Sequence, residues 1–326
     1  MCTAISLYHS NCSYFGRNMD IPFFFNQRPM LIPKGFQYLN HAENKQQRIK
    51  NSILGMGSVI DGHPAMADAM NDKGLACAGL NFAGFAKFDD FYLEDKINVS
   101  PYDFILWVLS EFESLVEVKE ALQNLHFYSI PINEDTPVAQ LHWMLADRSG
   151  HSIVVECTAS GLNVYDNPVS VMTNNPEFPW HLTNLREYLK ISPVPADDAT
   201  WSALNLKALG VGSGTLGIPG DYSSVSRFVR AAFARAHLPN NLSEDEHLSQ
   251  FFTLLDATFM PKGCVLTENN LCDFTVYSSC MDLTHNIYYY KNYENNRINA
   301  LKLIETESTE LICYPYITKQ DINYLN

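Results

Sequence analysis

The chain lacks the short motifs of cysteine and histidine that usually hold metal ions. Its 8 cysteines and 10 histidines are scattered over 326 residues, with no Cys-x-x-Cys, His-x-His or His-x-x-x-His spacing. Such spacings are the usual sequence signature of zinc sites. The sequence therefore predicts no metal site, and the scattered cysteines are expected to be reduced thiols rather than a disulfide framework.

Positive charge is scarce, and long apolar runs are absent. The chain has 22 lysines and arginines against 36 acidic residues, a net charge of −14. This excess of negative charge disfavours binding to nucleic acid. The first residues do not form a basic segment followed by an apolar one, and no run approaches the ~18 apolar residues that span a bilayer. We expect a cytoplasmic protein without a membrane or nucleic-acid partner.

The composition and patterning favour one globular unit. Hydrophobic residues make up 46% of the chain, enough for a substantial core. No repeat, low-complexity tract or flexible linker divides it, so residues 1–326 are predicted to form a single domain. Groups of strand patterns are separated by pairs of helices, which predicts an α+β fold. We expect two stacked, mainly antiparallel sheets covered by helices.

Several local signals define the predicted elements. Strands are expected over residues 3–8 and 14–20, with a tight hairpin at residues 71–74. Ser100 and Pro101 predict a helix with serine at the N-cap and proline at the first helical position. Ser114 and Glu117 predict a second helix with a capping box. Residues 192–222 read as a long loop, and loops of this length are usually functional or used in assembly.

Cys2 stands directly behind the initiator Met1. If Met1 is removed, one residue carries both a thiol nucleophile and a free α-amine, whose ordinary pKa of ~7.7–8.0 suits a general base. The alternative is a cysteine placed there by chance. The predicted hairpin would bring Arg17 and Asp20 beside Cys2, where a guanidinium favours the thiolate and a carboxylate can orient the amine. The alternative is a structural Arg–Asp pair.

An ordered series of short motifs resembles the choloylglycine hydrolases, a family that includes bile salt hydrolases and penicillin V acylases. The motifs are Cys2-Thr3-Ala4-Ile5, Phe15-Gly16-Arg17-Asn18-Met19-Asp20, Asn71-Asp72-Lys73-Gly74-Leu75, Ala78-Gly79-Leu80-Asn81-Phe82, Thr173-Asn174-Asn175-Pro176, Pro219-Gly220-Asp221, Ser226-Arg227-Phe228 and Tyr293-Glu294-Asn295-Asn296-Arg297-Ile298-Asn299-Ala300. Together they cover essentially the whole chain, which is most similar to the bile salt hydrolases. The resemblance implies an N-terminal nucleophile (Ntn) hydrolase αββα sandwich.

The resemblance also implies roles for particular residues. Cys2 is the expected nucleophile, Asn81 and Asn174 are the expected oxyanion donors, and the remaining catalytic positions are Arg17, Asp20 and Arg227. From residue type alone, either asparagine is more commonly a turn or strand-end residue, and Arg227 a surface helix arginine. The family further implies a homotetramer built partly by residues 192–222, and no metal or organic cofactor.

The expected reaction is hydrolysis of the amide bond of glycine- or taurine-conjugated bile salts. A broad apolar steroid needs aliphatic and aromatic side chains near the catalytic strands. The expected substrate-binding residues are Met19, Phe24, Ile60, Ala67 and Ile132, although each could equally be an ordinary core side chain. Two alternatives stay open. One is a penicillin V acylase or another N-acyl amide hydrolase, and the other is a catalytically silent homologue that binds amphipathic ligands.

Overall fold

The computed structural model of the chain describes residues 1–239 and 241–326. In chain order, the strands are β1 Cys2–His9, β2 Cys12–Ile21, β3 Arg28–Ile32, β4 Gln37–Asn40, β5 Lys45–Arg48, β6 Ile53–Ile60, β7 His63–Asn71, β8 Ala76–Asn81, β9 Ile97–Val99, β10 Leu125–Phe127, β11 Leu141–Ala146, β12 Ser152–Thr158, β13 Gly161–Asp166, β14 Val171–Met172, β15 Ala199–Trp201, β16 Leu204–Leu206, β17 Val265–Leu266, β18 Cys272–Asp282, β19 Ile287–Asn292, β20 Asn299–Lys302 and β21 Ile312–Cys313. The helices are α1 Phe104–Glu111, α2 Leu115–Leu122, α3 Phe178–Asn184, α4 Ser224–Ala236 and α5 Glu244–Asp256.

Two large sheets organise these strands. The first has the order β14-β1-β2-β18-β19-β20, with β17 beside β18, and the second has the order β13-β12-β11-β8-β7-β6-β3-β21. The pairings within both are antiparallel. The first sheet places the N-terminal strand β1 between β14 and β2, and the second ends its β8 strand at Asn81.

The alternating side chains of the second sheet show how the layers stack. On β11, Met144 belongs to the apolar cluster shared with the first sheet, whereas Trp143 and Leu145 belong to the cluster that contains α1 and α2. Successive strand residues point to opposite faces, so both faces of this sheet are buried. Phe228 of α4 and Phe251 of α5 join the cluster of the first sheet. The order of layers is helix, sheet, sheet, helix, which confirms the predicted αββα sandwich.

The first predicted helix start was wrong by about one turn. The helix begins at Phe104, and its N-cap is Asp103 rather than Ser100. The Ser100 hydroxyl instead donates a hydrogen bond to the Ile130 carbonyl at 2.8 Å. The apolar pattern located this helix correctly. The hydroxyl that was expected to cap it is engaged in the hydrogen bond to Ile130, a residue remote in sequence.

The predicted N-cap of the second helix and the predicted long loop agree with the structure. Ser114 is the N-cap of α2 and accepts a hydrogen bond from the Glu117 backbone N–H, although the Glu117 carboxylate accepts from Glu113 rather than from Ser114. Residues 192–222 contain only the short β15–β16 hairpin and one 3₁₀ turn, Ser213–Thr215. Within residues 1–239 and 241–326, no helix is both long and apolar enough to cross a bilayer.

Candidate active site

The β1–β2 hairpin places a guanidinium against the Cys2 thiol. Cys2 pairs with Met19, and Ala4 pairs with Arg17. Directly opposed residues of an antiparallel pair, and residues two apart on one strand, share a face of the sheet, so these side chains point the same way. Arg17 Nη2 donates to Cys2 Sγ, and the Met19 sulfur lies 4.0 Å from that thiol. The structure thus brings Cys2 and Arg17 together, as the sequence predicted.

The second sheet fixes the other end of Arg17. Its Nη1 donates to the backbone carbonyls of Gly79 at 2.5 Å and Ala67 at 3.3 Å. Burial lowers the pKa of this guanidinium, but the combined negative charges of Cys2, Tyr277, Asp68 and Asp20 raise it, and the net shift is upward. Arg17 is completely buried. It is therefore a permanent positive charge beside the thiol, oriented by both sheets.

Asn174 and Arg227 clamp the backbone of Cys2. Asn174 Oδ1 accepts from the Cys2 backbone N–H at 2.8 Å and from Arg227 Nη2 at 2.7 Å. Arg227 Nη1 donates to the Cys2 carbonyl and, at 2.7 Å, to the Thr3 hydroxyl. Burial lowers the pKa of Arg227, against the opposing effect of Asp20. The α4 arginine thus faces the site and is not the exposed side chain that its residue type alone would favour.

The Asn174 amide also connects the two sheets. Its Nδ2 donates to the Asn81 carbonyl at 2.7 Å, and Asn81 is exposed at the end of β8. Phe82 N–H donates to the Gln140 carbonyl at 2.7 Å, so Asn81, one residue earlier, directs its N–H and C=O away from β11. Both polar groups of Asn81 therefore point toward the edge where Asn174 lies.

Asp20 is buried beside the N-terminus. Its Oδ1 accepts from the Thr275 hydroxyl at 2.6 Å, its Oδ2 has no hydrogen-bond partner, and Arg227 Nη1 lies 3.9 Å from Oδ2. Its backbone carbonyl accepts from the Met1 amine at 2.5 Å. Burial raises the pKa of this carboxyl, against the opposing effect of Arg227. Asp20 thus brings a buried acceptor to the first residues of the chain.

Sequence reasoning missed the residues that position Asn174. The Ser224 hydroxyl accepts from the Asn174 backbone N–H at 2.9 Å, and a His181 ring nitrogen lies 2.9 Å from the Asn174 carbonyl oxygen. Burial lowers the pKa of His181 to about 4, so this imidazole is neutral near pH 7 and donates that hydrogen bond. His142 contacts the preceding carbonyl, Thr173, at 3.0 Å. No local spacing signals these contacts.

A buried acid lies behind Arg17. Asp68 accepts hydrogen bonds from the hydroxyls of Tyr277 at 2.5 Å and Tyr288 at 2.6 Å. Burial raises the pKa of Asp68, and the positive charge of Arg17 opposes the rise. No sequence signal pointed to this acid. It lies near the guanidinium because β7 packs against β18 and β19.

The expected substrate-binding residues fall in different places. Met19 and Ala67 contact Arg17, next to the thiol. Phe24 lines a cavity of about 440 Å³ whose walls include the C-terminal Tyr314 and Tyr316. The contact of these three residues with substrate stays a prediction.

The two isoleucines of that set share a second cavity. Ile60 and Ile132 line a space of about 260 Å³ together with His41 and His63. Their place in substrate binding stays a prediction.

Comparison with known proteins identifies the family. Residues 2–314 match the linear amide C–N hydrolases of the choloylglycine hydrolase family. The chain belongs to the choloylglycine hydrolases. It is 42% identical over 329 aligned residues to a bile salt hydrolase/transferase of Clostridium perfringens, covering 100% of both chains. It is 40% identical to a bile salt hydrolase/transferase of Lactiplantibacillus plantarum, covering 97% of both.

Solved structures agree with this assignment. A mutant of the conjugated bile acid hydrolase from Clostridium perfringens superposes with a TM-score of 0.95 at 41% identity, covering 100% of both chains. The penicillin V acylase of Agrobacterium tumefaciens has a TM-score of 0.76 at 19% identity, covering 95% of this chain and 90% of its own. The first confirms the Ntn-hydrolase fold that the resemblance implied, and the second shows the shared fold alone.

Proposed function

We propose that this protein hydrolyses the amide bond of glycine- or taurine-conjugated bile salts, with Cys2 as nucleophile. The observation that carries the proposal is the contact between Arg17 Nη2 and Cys2 Sγ. This contact fixes the sulfur of a residue that carries nucleophile and base together once Met1 is removed. Full-length similarity to proteins named bile salt hydrolases supports the substrate class.

The proposed reaction begins after removal of Met1, which turns the Cys2 nitrogen into an α-amine. The Cys2 sulfur attacks the substrate carbonyl carbon, and the amine takes the thiol proton. The C–N bond then breaks, and the amine returns that proton to the nitrogen of departing glycine or taurine. Water attacks the resulting thioester, gives one proton to the amine, and releases the bile acid. That proton restores the thiol.

Two donors are proposed for the oxyanion. Asn174 Nδ2 uses one of its two N–H groups on the Asn81 carbonyl. Its second N–H and the Asn81 backbone N–H are then available to the substrate oxygen, because both lie at the same edge. Arg227 is proposed to hold the Cys2 backbone through its contact with the Cys2 carbonyl. Asp20 is proposed to orient the α-amine once Met1 is removed, because its Oδ2 is a buried acceptor without a partner. The chemistry proposed here uses no metal or organic cofactor.

Removal of Met1 is tested by the intact mass of the active protein. We expect a mass lower by one methionine residue, because the α-amine of Cys2 is the base in this mechanism. Protein that retains Met1 and still turns over at the normal rate would contradict the mechanism, although it would leave the fold and family unaffected.

The substrate class is tested by comparing kcat/KM for glycocholate, taurocholate and penicillin V on the same preparation. We expect a clear preference for the two bile salts. A preference for penicillin V would select the acylase alternative and leave Cys2 as nucleophile. Binding of bile salts without turnover by Met1-free protein would select the silent homologue that binds amphipathic ligands.

Acyl transfer is a second candidate activity, favoured by the names hydrolase/transferase that several relatives bear. An amine that replaces water at the thioester forms a new amide, with its proton passing to the Cys2 amine. Incubation of taurocholate with excess glycine should then yield glycocholate, detected by mass spectrometry. Absence of glycocholate at every glycine concentration, while taurocholate is hydrolysed, would reject transfer as an activity of this chain.

We also propose a cytoplasmic, single-domain protein that assembles as a homotetramer through residues 192–222. This segment exposes large apolar side chains: Trp201 is 72% exposed, Leu209 104% and Leu216 88%. Several large apolar side chains exposed on one segment suit burial in a protein interface. The measurement is the molar mass by light scattering for the natural chain and for Trp201→Ser with Leu209→Ser. We expect four copies for the first and fewer for the second. A monomeric natural chain would refute the assembly.

A further inference from the structure

Three polar side chains that are remote in sequence meet at the start of β7. His41 follows β4, His63 is the first residue of β7, and Asp103 is the N-cap of α1, 62 positions from His41. His63 is 6% exposed and Asp103 1%. Packing of the β4–β5 hairpin and α1 on the second sheet brings these residues together, so no local spacing announces them.

One ligand atom from each of the three side chains lies within 4.8 Å of the other two. His41 Nδ1 is 3.1 Å from Asp103 Oδ2, and His63 Nε2 is 3.0 Å from Asp103 Oδ1. The two imidazole rings meet edge to face, with centroids 4.6 Å apart. Two imidazoles and one carboxylate therefore converge on one small volume.

The hydrogen bonds of this cluster leave His63 unsatisfied. His41 Nδ1 is aligned for a hydrogen bond to Asp103. Neither ring nitrogen of His63 has a hydrogen-bond partner, although Nε2 is only 3.0 Å from a carboxylate oxygen. Buried polar groups are nearly always paired, so an imidazole without a partner needs an explanation.

A shared metal ion explains both the closeness and the misalignment. Ligand atoms about 2.0 Å from a tetrahedral zinc ion lie about 3.3 Å from each other, without the alignment of a hydrogen bond. A hydrogen-bonded His–Asp–His cluster would account for His41 but not for the misalignment of His63 Nε2 with the Asp103 oxygen 3.0 Å away. The approach of His63 Nε2 to Asp103 therefore matches two ligands that face a common centre better than it matches a donor and an acceptor.

We propose that His41, His63 and Asp103 bind one divalent transition-metal ion, of which Zn²⁺ is the best match. Imidazole nitrogen and carboxylate oxygen are ordinary zinc ligands. The His41 backbone N–H donates to Asp103 Oδ2 at 2.8 Å, a contact of the kind that orients a ligating carboxylate. The adjoining cavity of about 260 Å³ has room for water as a fourth ligand.

The proposed site ties together three segments of the chain. The ion would join the β4–β5 hairpin, the start of β7 and the N-terminus of α1. The sequence expectation of no metal site rested on local spacings, which a site of remote ligands does not show. The proposed ligands are not among the residues that act on the reacting groups at Cys2, although the cavity beside them is also lined by Ile60 and Ile132, which are predicted to bind substrate.

The test is a titration of chelator-stripped protein with Zn²⁺, in which isothermal calorimetry measures the heat of binding. Accessible thiols are first alkylated with iodoacetamide, because Cys2, Cys264 and other cysteines could bind zinc. We expect one equivalent to bind, and His63→Ala to weaken binding by at least about 100-fold, since losing an outer-shell partner alone costs about 10–100-fold. The matched control is His285→Ala, which removes an exposed histidine paired with Asp282.

Two further readouts keep the test decisive. Circular dichroism establishes that each variant is folded, and His41→Ala replaces His63→Ala if the latter is not. Co²⁺ bound at this site should give visible d–d bands without a sulfur-to-cobalt charge-transfer band. Absence of zinc binding to the folded natural chain, or equal binding by both ligand variants and the control, would overturn the proposal.

Discussion

Two buried polar clusters of this protein differ in how they are satisfied. Around Cys2, two guanidiniums and an amide meet the backbone and thiol through directed hydrogen bonds, and the Oδ2 of Asp20 is left without a partner. Around Asp103, the rings of His41 and His63 approach the carboxylate from two sides, and neither ring nitrogen of His63 has an aligned hydrogen-bond partner. Under the two proposals above, these unpaired atoms mark the place where each cluster receives another group: the α-amine of Cys2 at Asp20 and a metal ion at His63.

The two clusters also have different expected roles, one in catalysis and one in stability. The Cys2 cluster lies at the end of β8 and beside exposed Asn81, where a substrate can reach it. The Asp103 cluster joins three peripheral segments of the second sheet. The first should therefore govern turnover and the second should govern stability, and the following changes test that division from the largest expected effect to the smallest.

Cys2→Ser should abolish nearly all turnover, by on the order of 10⁴-fold or more, because a serine hydroxyl is a far weaker nucleophile near neutral pH. The measurement is kcat with glycocholate, alongside circular dichroism to establish folding. Cys313→Ser is the matched control, because that thiol is exposed. Iodoacetamide inactivation that tracks labelling of a cysteine other than Cys2 would contradict the assignment.

Asn174→Ala should lower kcat by about 10²–10³-fold, because it removes one oxyanion donor. It also removes the acceptor for the Cys2 N–H. Because both lost contacts act on the reacting groups, KM should change less than kcat. Asn296→Ala removes an exposed amide and serves as the control. A variant of Asn174 with unchanged kcat would exclude this side chain from the oxyanion site.

His181→Gln should flatten the acid side of the stability profile. Burial lowers the pKa of His181 to about 4, so between pH 6.5 and 4 the unfolded chain binds a proton that the folded chain refuses. The free energy of unfolding of the natural chain is therefore unaffected by this proton above pH 6.5. It falls by ~3 kcal/mol as the pH drops from 6.5 to 4. Urea unfolding across pH 4–7 measures it, with exposed His151→Gln as control. Equal profiles for both variants would refute the assignment.

Saturating Zn²⁺ should raise the melting temperature of chelator-stripped, thiol-alkylated protein. Ligand at about 100 times its Kd adds about 2.7 kcal/mol to the free energy of unfolding. His63→Ala should show no such increase, whereas His285→Ala should match the natural chain. A similar increase in the His63 variant would place the zinc elsewhere and remove the proposed difference between the two clusters.

Particular residues show how far the sequence reaches. The alternation of β1 and β2 predicted that Arg17 lies by Cys2, and the register confirms it. The helix at Ser114 began where its capping signal indicated. The start of α1 was wrong because Ser100 bonds to Ile130, a residue that no local signal connects with it. Local chemistry is readable when the partner is near in sequence, and becomes ambiguous when a distant group competes.

The sequence by itself determined the alternating hydrophobic pattern, the turns and the presence of a cysteine at position 2, because these depend on the residues themselves and on neighbours within a few positions. Only the tertiary structure decided that Asn174 reaches Asn81, that Asp68 lies near Arg17, and that the residues around Asp103 converge. These contacts join residues far apart along the chain, and the packing of two sheets and their helices fixes them. Their positions follow from burying both faces of the second sheet at once.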